Sequence, residues 1–418
     1  MKEMKLFALV LMALLSFSVL VRATDISNCQ DLSDGDNSYY ELTQNLTYNG
    51  DEYCLSSSGY SNVTIDCNGH SINGVGSGVG IFLYDTTHIK NCIITNFTYG
   101  IYNSYSYNTV ENTTFTNNDY GLEIEEWGYA FDNVTNCIFR NNSQGLLLLA
   151  SDNVSITNSS FYDNSYAVYS VSSSYVVISD SEFVNNSAGI YETASSYSTY
   201  ENLMLYNNGY GFYLNNQCNY NTFDNVVMDT NGEGIYFDYD NNNTMKNCVI
   251  KNSLDYGIYY YDASPPAEPS GGNIFYNNTF NNTNNVFLEL AGEGELFYEN
   301  FWNTSVGNYW GAPDLTGFSD TCVDANTDGF CDDTYEIGTN NVDYLPLALF
   351  EEYIPTPPSA LSCSGSLMCS TFAGLIIIAL TASCLILLTG DDLTVERIEL
   401  IAAIILVTVV FIVAISGL

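Results

Sequence analysis

Apolar and polar positions recur along the middle of this chain at a nearly fixed step. One column of apolar residues reads Ile94, Phe115, Phe139, Phe161, Phe183, Leu205, Met228, Ile250, Phe280 and Trp302, with steps of 21 to 24 residues and a single step of 30. Three residues before each of the first nine stands a polar column: Asn91, Asn112, Asn136, Asn158, Asp180, Asn202, Asn225, Asn247 and Asn277. A period this regular predicts stacked structural units, each burying its apolar face against its neighbours.

Each unit also carries a glycine followed by alternating residues, as in Gly80-Ile-Phe-Leu, Gly121-Leu-Glu-Ile, Gly211-Phe-Tyr-Leu and Gly234-Ile-Tyr-Phe. A period of two predicts strands. Helical repeats need longer amphipathic runs and tolerate this much Asn and Ser poorly. The economical fold is all-β: a right-handed single-stranded parallel β-helix of about ten to eleven coils, one coil per ~22 residues. In it the Asn column takes left-handed turn positions and bonds its amides from rung to rung, neighbouring strands being ~4.8 Å apart.

The pattern N-V-x-I-x-N-C-x-F-x-N-N, followed by Y-G-I-Y, resembles the right-handed β-helix repeats of carbohydrate-binding and sugar-hydrolase proteins, including the NosD-like family. The resemblance covers residues 60–345, with Gly307-Asn-Tyr-Trp and Asp343-Tyr-Leu-Pro-Leu near its end. It implies the β-helix fold and a periplasmic or surface location. Because one fold hosts many functions, it leaves the activity open.

The ends divide the chain further. Residues 1–23 read as a signal peptide, with Lys2 and Lys5 before an apolar run. Residues 24–60 form an N-terminal cap, 61–310 the β-helix, 311–350 a closing segment and 351–370 a Pro- and Cys-containing stalk. Residues 371–389 and 399–418 read as two membrane-spanning helices forming a hairpin anchor, which would leave the preceding domain extracellular. Thirteen N-x-S/T triplets suit a glycoprotein. With 48 acidic residues against 8 basic ones, nucleic acid and acidic polysaccharides are excluded as partners. Cysteines pair locally as Cys29–Cys54, Cys67–Cys92, Cys322–Cys331 and Cys363–Cys369, in an oxidising compartment. Cys137 and Cys248 fall in the repeat column and read as small buried residues.

Three features carry candidate chemistry. Asp324-Ala-Asn326-Thr-Asp328-Gly329-Phe330 matches the first half of a calcium loop, with Phe330 contributing its carbonyl and Asp332 or Asp333 closing the shell. Tyr335 stands where an EF-hand has Glu, so the expected Ca²⁺ role is structural; the alternative is an acidic turn held by a disulfide. Second, Tyr169, Tyr191, Tyr213, Tyr236 and Tyr259 fall on the outward side of consecutive strands, spanning roughly 19 Å. They could stack on sugar rings or dock another surface protein, or simply form a cross-strand ladder that stabilises the sheet. Third, Glu123 and Glu125 beside Trp127 could act as the carboxylate pair of a glycoside hydrolase, or be solvated acids. With only His70 and His88, copper carriage is disfavoured despite the resemblance. The sequence therefore predicts a membrane-anchored extracellular β-helix serving structure, adhesion or glycan binding, the alternative being a polysaccharide-active hydrolase or lyase using Glu123 and Glu125.

Overall fold

The computed structural model describes residues 23–57, 59–105, 107–129, 131–262, 271–290, 299–338 and 340–348. The expected signal segment up to Arg22, the stalk, both apolar spans and the Cys363–Cys369 pair lie outside these residues. No helix among the described residues is long and apolar enough to cross a membrane.

The repeat winds as the period requires, into three parallel sheets of twelve strands each. One coil shows the plan. Ser155–Thr157 contributes to a first sheet, Ser160–Tyr162 to a phenylalanine sheet and Tyr166–Val171 to a tyrosine sheet. Left-handed residues turn the chain between them: Asn158 at φ 47°, Asp163 at φ 56° and Ser172 at φ 53°. Short polar side chains reach this conformation most readily, which is why Asn dominates the corners.

The apolar column fills the interior. Phe115, Phe139, Phe161 and Phe183 pair in direct register. Their rings stack at 4.7–4.8 Å, within 7° of parallel. Stacked aromatic pairs add roughly 0.5–1.5 kcal/mol each beyond area burial. The glycine at the second position of most tyrosine-sheet strands has a steric reason: a Cβ on Gly211 would lie 2.4 Å from the carbonyl oxygen of Gly234 on the next rung, although Ala167 takes the equivalent place in Tyr166–Val171.

The Asn column forms the expected exposed ladder, with Asn112 donating to Asn91 at 2.6 Å and Asn277 to Asn247 at 2.7 Å. All nine of its members have positive φ. A second, buried ladder runs through Asn118, Asn142, Asn164, Asn186, Asn208 and Asn231. There each amide oxygen accepts the backbone N–H of the residue one rung below, as Asn186 does from Asn164 at 2.9 Å. Each side-chain amide also donates to a core carbonyl, as Asn186 does to Phe161 at 3.1 Å. The polar atoms buried at this corner are thereby satisfied.

Two expectations change. Thr24–Ile26, Tyr39–Leu42 and Tyr53–Ser56 already lie in the parallel sheets, so residues 24–56 form the first rungs and not a separate cap. The apolar column ends on Trp310, which pairs with Phe280, and not on Trp302, which stacks on Phe275 at 4.4 Å. An antiparallel hairpin, Tyr335–Gly338 with Asn341–Asp343, packs at this end. The buried Asp343 carboxylate accepts from the Trp310 indole at 2.9 Å and from the Asn308 backbone at 2.8 Å, pinning the hairpin to the last rung.

Disulfides join Cys29 to Cys54, Cys67 to Cys92 and Cys322 to Cys331, with Cα separations of 4.5, 4.8 and 5.6 Å. The first two clamp adjacent rungs. Cys137, Cys218 and Cys248 are buried free thiols.

Candidate functional site

Alternation along the tyrosine sheet turns Tyr169, Tyr191, Tyr213, Tyr236 and Tyr259 outward in one register. Tyr191, Tyr213, Tyr236 and Tyr259 stack at 4.6, 4.4 and 5.1 Å, within 8° of parallel, while Tyr169 meets Tyr191 edge-on at 5.0 Å. Stacking along the rod covers the ring faces, so a ligand alongside meets ring edges and hydroxyls. This differs from the sugar-stacking platform that spacing alone suggests. Burial, then the neighbouring Tyr191, pushes the Tyr213 phenol up to about 12, so it stays a neutral hydrogen-bond donor over the physiological range. Glu289 accepts from Tyr259 at the far end of the file.

A second aromatic file escaped sequence reading. Tyr107, Phe131, Tyr175, Tyr197 and Tyr220 occupy the turn after the tyrosine sheet and are 42–61% exposed. Tyr107 stacks on Phe131 at 5.4 Å, Tyr175 on Tyr197 at 5.2 Å and Tyr197 on Tyr220 at 5.0 Å. All five have φ between 54° and 66°. Non-glycine residues held there cost of order 1–3 kcal/mol each, and bulky ones are outliers. Backbone bonds from Phe131 to Asp152, Tyr175 to Ser196 and Tyr220 to Asn241 place Asn153 and Asn242 in the same corner row. The spacing of Tyr175, Tyr197 and Tyr220 was a readable signal, hidden by the more frequent Gly-Ile-Tyr tyrosines.

Glu123 occupies the outward row between Tyr102 and Leu147, yet is only 5% exposed. Burial, then the charge of Glu125, raises its carboxyl to about 7. Glu125 accepts from the Tyr102 hydroxyl at 2.5 Å. The pairing with Leu149 on the next strand shifts register just beyond Glu125, a β-bulge in an interior strand of the tyrosine sheet. The Trp127 side chain lies outside the described residues.

The acidic loop folds on itself. Asp324 accepts from the Asp328 and Gly329 backbones at 3.1 and 3.0 Å, Asp328 from Phe330 at 3.0 Å, and Asp332 from Ala325 at 3.1 Å. Asn326 donates to Asp328 at 3.0 Å. Asp324, Asn326, Asp328 and Asp332 therefore spend oxygens on the loop's own N–H groups. No group of three or more His, Cys, Asp or Glu among the described residues is placed to hold a metal ion. The donor set does not suit copper either: His88 faces Glu111 at 3.2 Å, His70 faces Asn45 at 3.3 Å, and the free thiols are buried. Lys90, Arg140, Lys246 and Lys251 each pair with an aspartate at 3.0–4.0 Å.

Three parallel sheets wound by one short repeat define a β-solenoid, and the chain is a right-handed β-helix repeat protein. Two family models match in tandem: "Right handed beta helix region" over residues 16–153, and "Periplasmic copper-binding protein (NosD)" over residues 124–315. No curated protein matches the sequence. Among solved structures, the A-module of Azotobacter vinelandii mannuronan C-5 epimerase AlgE4 is similar at 13% identity and TM-score 0.46, over 66% of this chain and 88% of that one. PfbA, a surface adhesin of Streptococcus pneumoniae, is similar at 11% identity and TM-score 0.35, over 59% and 85%. Tailspike gp49 of Acinetobacter baumannii bacteriophage Fri1, a capsular polysaccharide depolymerase, is similar at 11% identity and TM-score 0.39, over 70% and 58%. Likenesses this distant carry nothing about the ligand or chemistry of this chain.

Proposed function

We propose that this chain is a cell-exterior β-helix rod that recognises neutral glycans by adhesion without turnover, held to the membrane by its C-terminal hairpin. The observation that carries the reading is the exposed aromatic row at Tyr175, Tyr197 and Tyr220. Its rings are held in left-handed backbone where Asn, present in the same row at Asn153 and Asn242, fits more cheaply. Burial offsets little of that strain at half-exposed positions and ring stacking returns roughly 0.5–1.5 kcal/mol per pair, so contact with a partner supplies a further return. The stacked Tyr169–Tyr259 file on the preceding strands supplies a comb of hydroxyls beside it. Disulfides agree with an oxidising exterior, and a charge of −40 disfavours acidic polymers.

Full-length chain tested on an array of neutral glycans should bind. Tyr197→Asn with Tyr220→Asn should weaken retention about tenfold, the loss expected when exposed aromatic anchors are removed, while melting at or above the wild-type temperature. Tyr191→Ala with Tyr213→Ala should also weaken it. Retention unchanged in both pairs would sink the reading.

A second reading has one observation in its favour: a buried carboxyl raised to about 7 beside Glu125 is poised for acid–base work on a glycosidic bond. Release of reducing ends that vanishes in Glu123→Gln would establish it, and no release from any bound glycan would end it. Calcium at the closing loop belongs to the proposal as a structural ion. It would require Asp324 and Asp328 to exchange backbone N–H partners for the cation. Adding Ca²⁺ should then raise the melting temperature, and Asp324→Ala should abolish the rise.

A further inference from the structure

A concavity on the described surface opens where the exposed Asn ladder meets the C-terminal loop, as a cleft of about 640 Å³. Its floor is the outward row of the phenylalanine sheet: Val249, Thr279 and Tyr309, in direct register. Val249 and Tyr309 are 9% and 8% exposed, so the floor is largely shielded, and the Tyr309 hydroxyl is tied to Asp320 at 2.5 Å. The roof is the turn through Asp328, Gly329 and Phe330. It is fixed by an antiparallel bridge from Phe330 to Leu347 and by the Leu347 N–H on Asn308 at 2.9 Å.

One wall is the amide ladder, and the ladder breaks there. Asn225 donates to Asn202 at 2.7 Å, but Asn247 donates to Asp224 at 2.7 Å and not to Asn225. The Asn225 Oδ1 is left without a donor. Lys246 also holds Asp224, at 3.0 Å, so that carboxylate is committed. Asp328 is committed likewise, to the Phe330 backbone and the Asn326 amide at 3.0 Å.

This chemistry selects a ligand. An anion would face Glu201, Asp224 and Asp328 with Lys246 already paired. A cation would find Asp224 and Asp328 engaged, and no ligating group of three is present among the described residues. An amphipathic neutral molecule fits: hydroxyls, which both donate and accept, against Asn amides, and apolar C–H faces against Val249 and Phe330. The volume lies in the ordinary range for small-molecule sites.

We infer that this cleft binds the end of a neutral, hydroxyl-rich glycan chain. The inference shares its ligand class with the proposed function but uses a different surface. In the test, full-length protein is titrated with neutral gluco-, manno- and galacto-oligosaccharides, with polygalacturonate as the acidic control. Thr279→Trp fills the floor and should weaken binding of the best neutral ligand at least about tenfold. Asn247→Gly keeps the left-handed backbone while removing the amide, and should weaken binding several-fold even if the tryptophan variant does not fold. Asn185→Gly, on another corner and part of neither proposed surface, should leave short-oligosaccharide affinity unchanged. Affinity unchanged in Asn247→Gly and in folded Thr279→Trp overturns the cleft assignment while sparing the aromatic-row reading. Loss in Tyr197→Asn with Tyr220→Asn alone does the same. Binding of polygalacturonate but of no neutral sugar overturns both.

Discussion

Two adjacent asparagines, Asn185 and Asn186, should respond to substitution in opposite ways, although the sequence presents them as an indistinct pair. Asn185 is exposed with φ 60°, donating to Asp163 at 3.3 Å and accepting from Asn207 at 2.8 Å. Asn186 is 2% exposed. Its Oδ1 accepts from the Asn164 backbone at 2.9 Å and amide at 3.0 Å, and its Nδ2 donates to Phe161 at 3.1 Å and Asn208 at 3.0 Å. Truncation to alanine orphans the Asn164 N–H, since water cannot replace the lost oxygen. One unsatisfied buried donor costs about 1–3 kcal/mol and each lost amide bond about 1, so Asn186→Ala should destabilise by about 3–5 kcal/mol. Asn185→Gly loses only solvent-exposed bonds and keeps the left-handed turn, so its effect should stay within about 1 kcal/mol.

Equilibrium urea unfolding of the full chain, followed by far-ultraviolet circular dichroism, separates the two. The midpoint of Asn186→Ala should fall well below that of Asn185→Gly, with similar slopes. Asn185→Ala is a useful third variant: it should cost roughly 1–2 kcal/mol from the left-handed backbone alone. Equal midpoints for Asn186→Ala and Asn185→Gly would refute the buried ladder as a source of stability.

Two further predictions concern the interior. Burial raises the Glu192 carboxyl from 4.5 to about 8, against the lowering effect of the Tyr200 hydroxyl. Its neutral form thus favours folding: the contribution is complete below about pH 4.5 and is lost as pH rises to about 8. Glu123, Asp132 and Glu233, each raised to about 7 chiefly by burial, add in the same direction. The wild type should melt higher at pH 4.5 than at pH 8, with Glu192→Gln narrowing the gap; a higher melting temperature at pH 8 would contradict this. Phe161→Ala should cost about 3–5 kcal/mol by opening a void between Phe139 and Phe183, measured by the same urea titration, and a loss under 1 kcal/mol would contradict the packed stack.

How much was legible in the chain depends on whether a residue obeys the period or departs from it. The phenylalanine column, the left-handed Asn corners and the outward Gly-Ile-Tyr tyrosines all repeat, so spacing sufficed to place them. Spacing could not separate Asn185 from Asn186, because both columns advance by the same step. What separates them is offset from the aromatic residue: the second position after Phe183 turns the chain outward, and the third turns an amide into the core. The same blindness misassigned Trp302. It lies 22 residues after Phe280, but the chain detours before returning to that sheet, and Trp310 takes the rung.

The candidate sites fall where the repeat is violated, which explains why they were harder to see. Glu123 interrupts a tyrosine row, and the strained Tyr175–Tyr220 row uses bulky residues where the repeat tolerates Asn. The cleft is assembled from rungs between Glu201 and Tyr309 and a loop near Phe330. No motif spans those positions, since the loop arrives by a disulfide-bonded excursion with its own antiparallel pairing. A stacked fold repeats its outer surface at every rung, so a ligand sliding along the rod meets nearly equal sites. Only an end feature breaks that degeneracy. A rod holding glycans along its length would gain register and polarity from one pocket at its closing end, so the Asn247→Gly and Tyr197→Asn variants should fail differently. The first should reduce affinity for chain ends, and the second avidity for long chains.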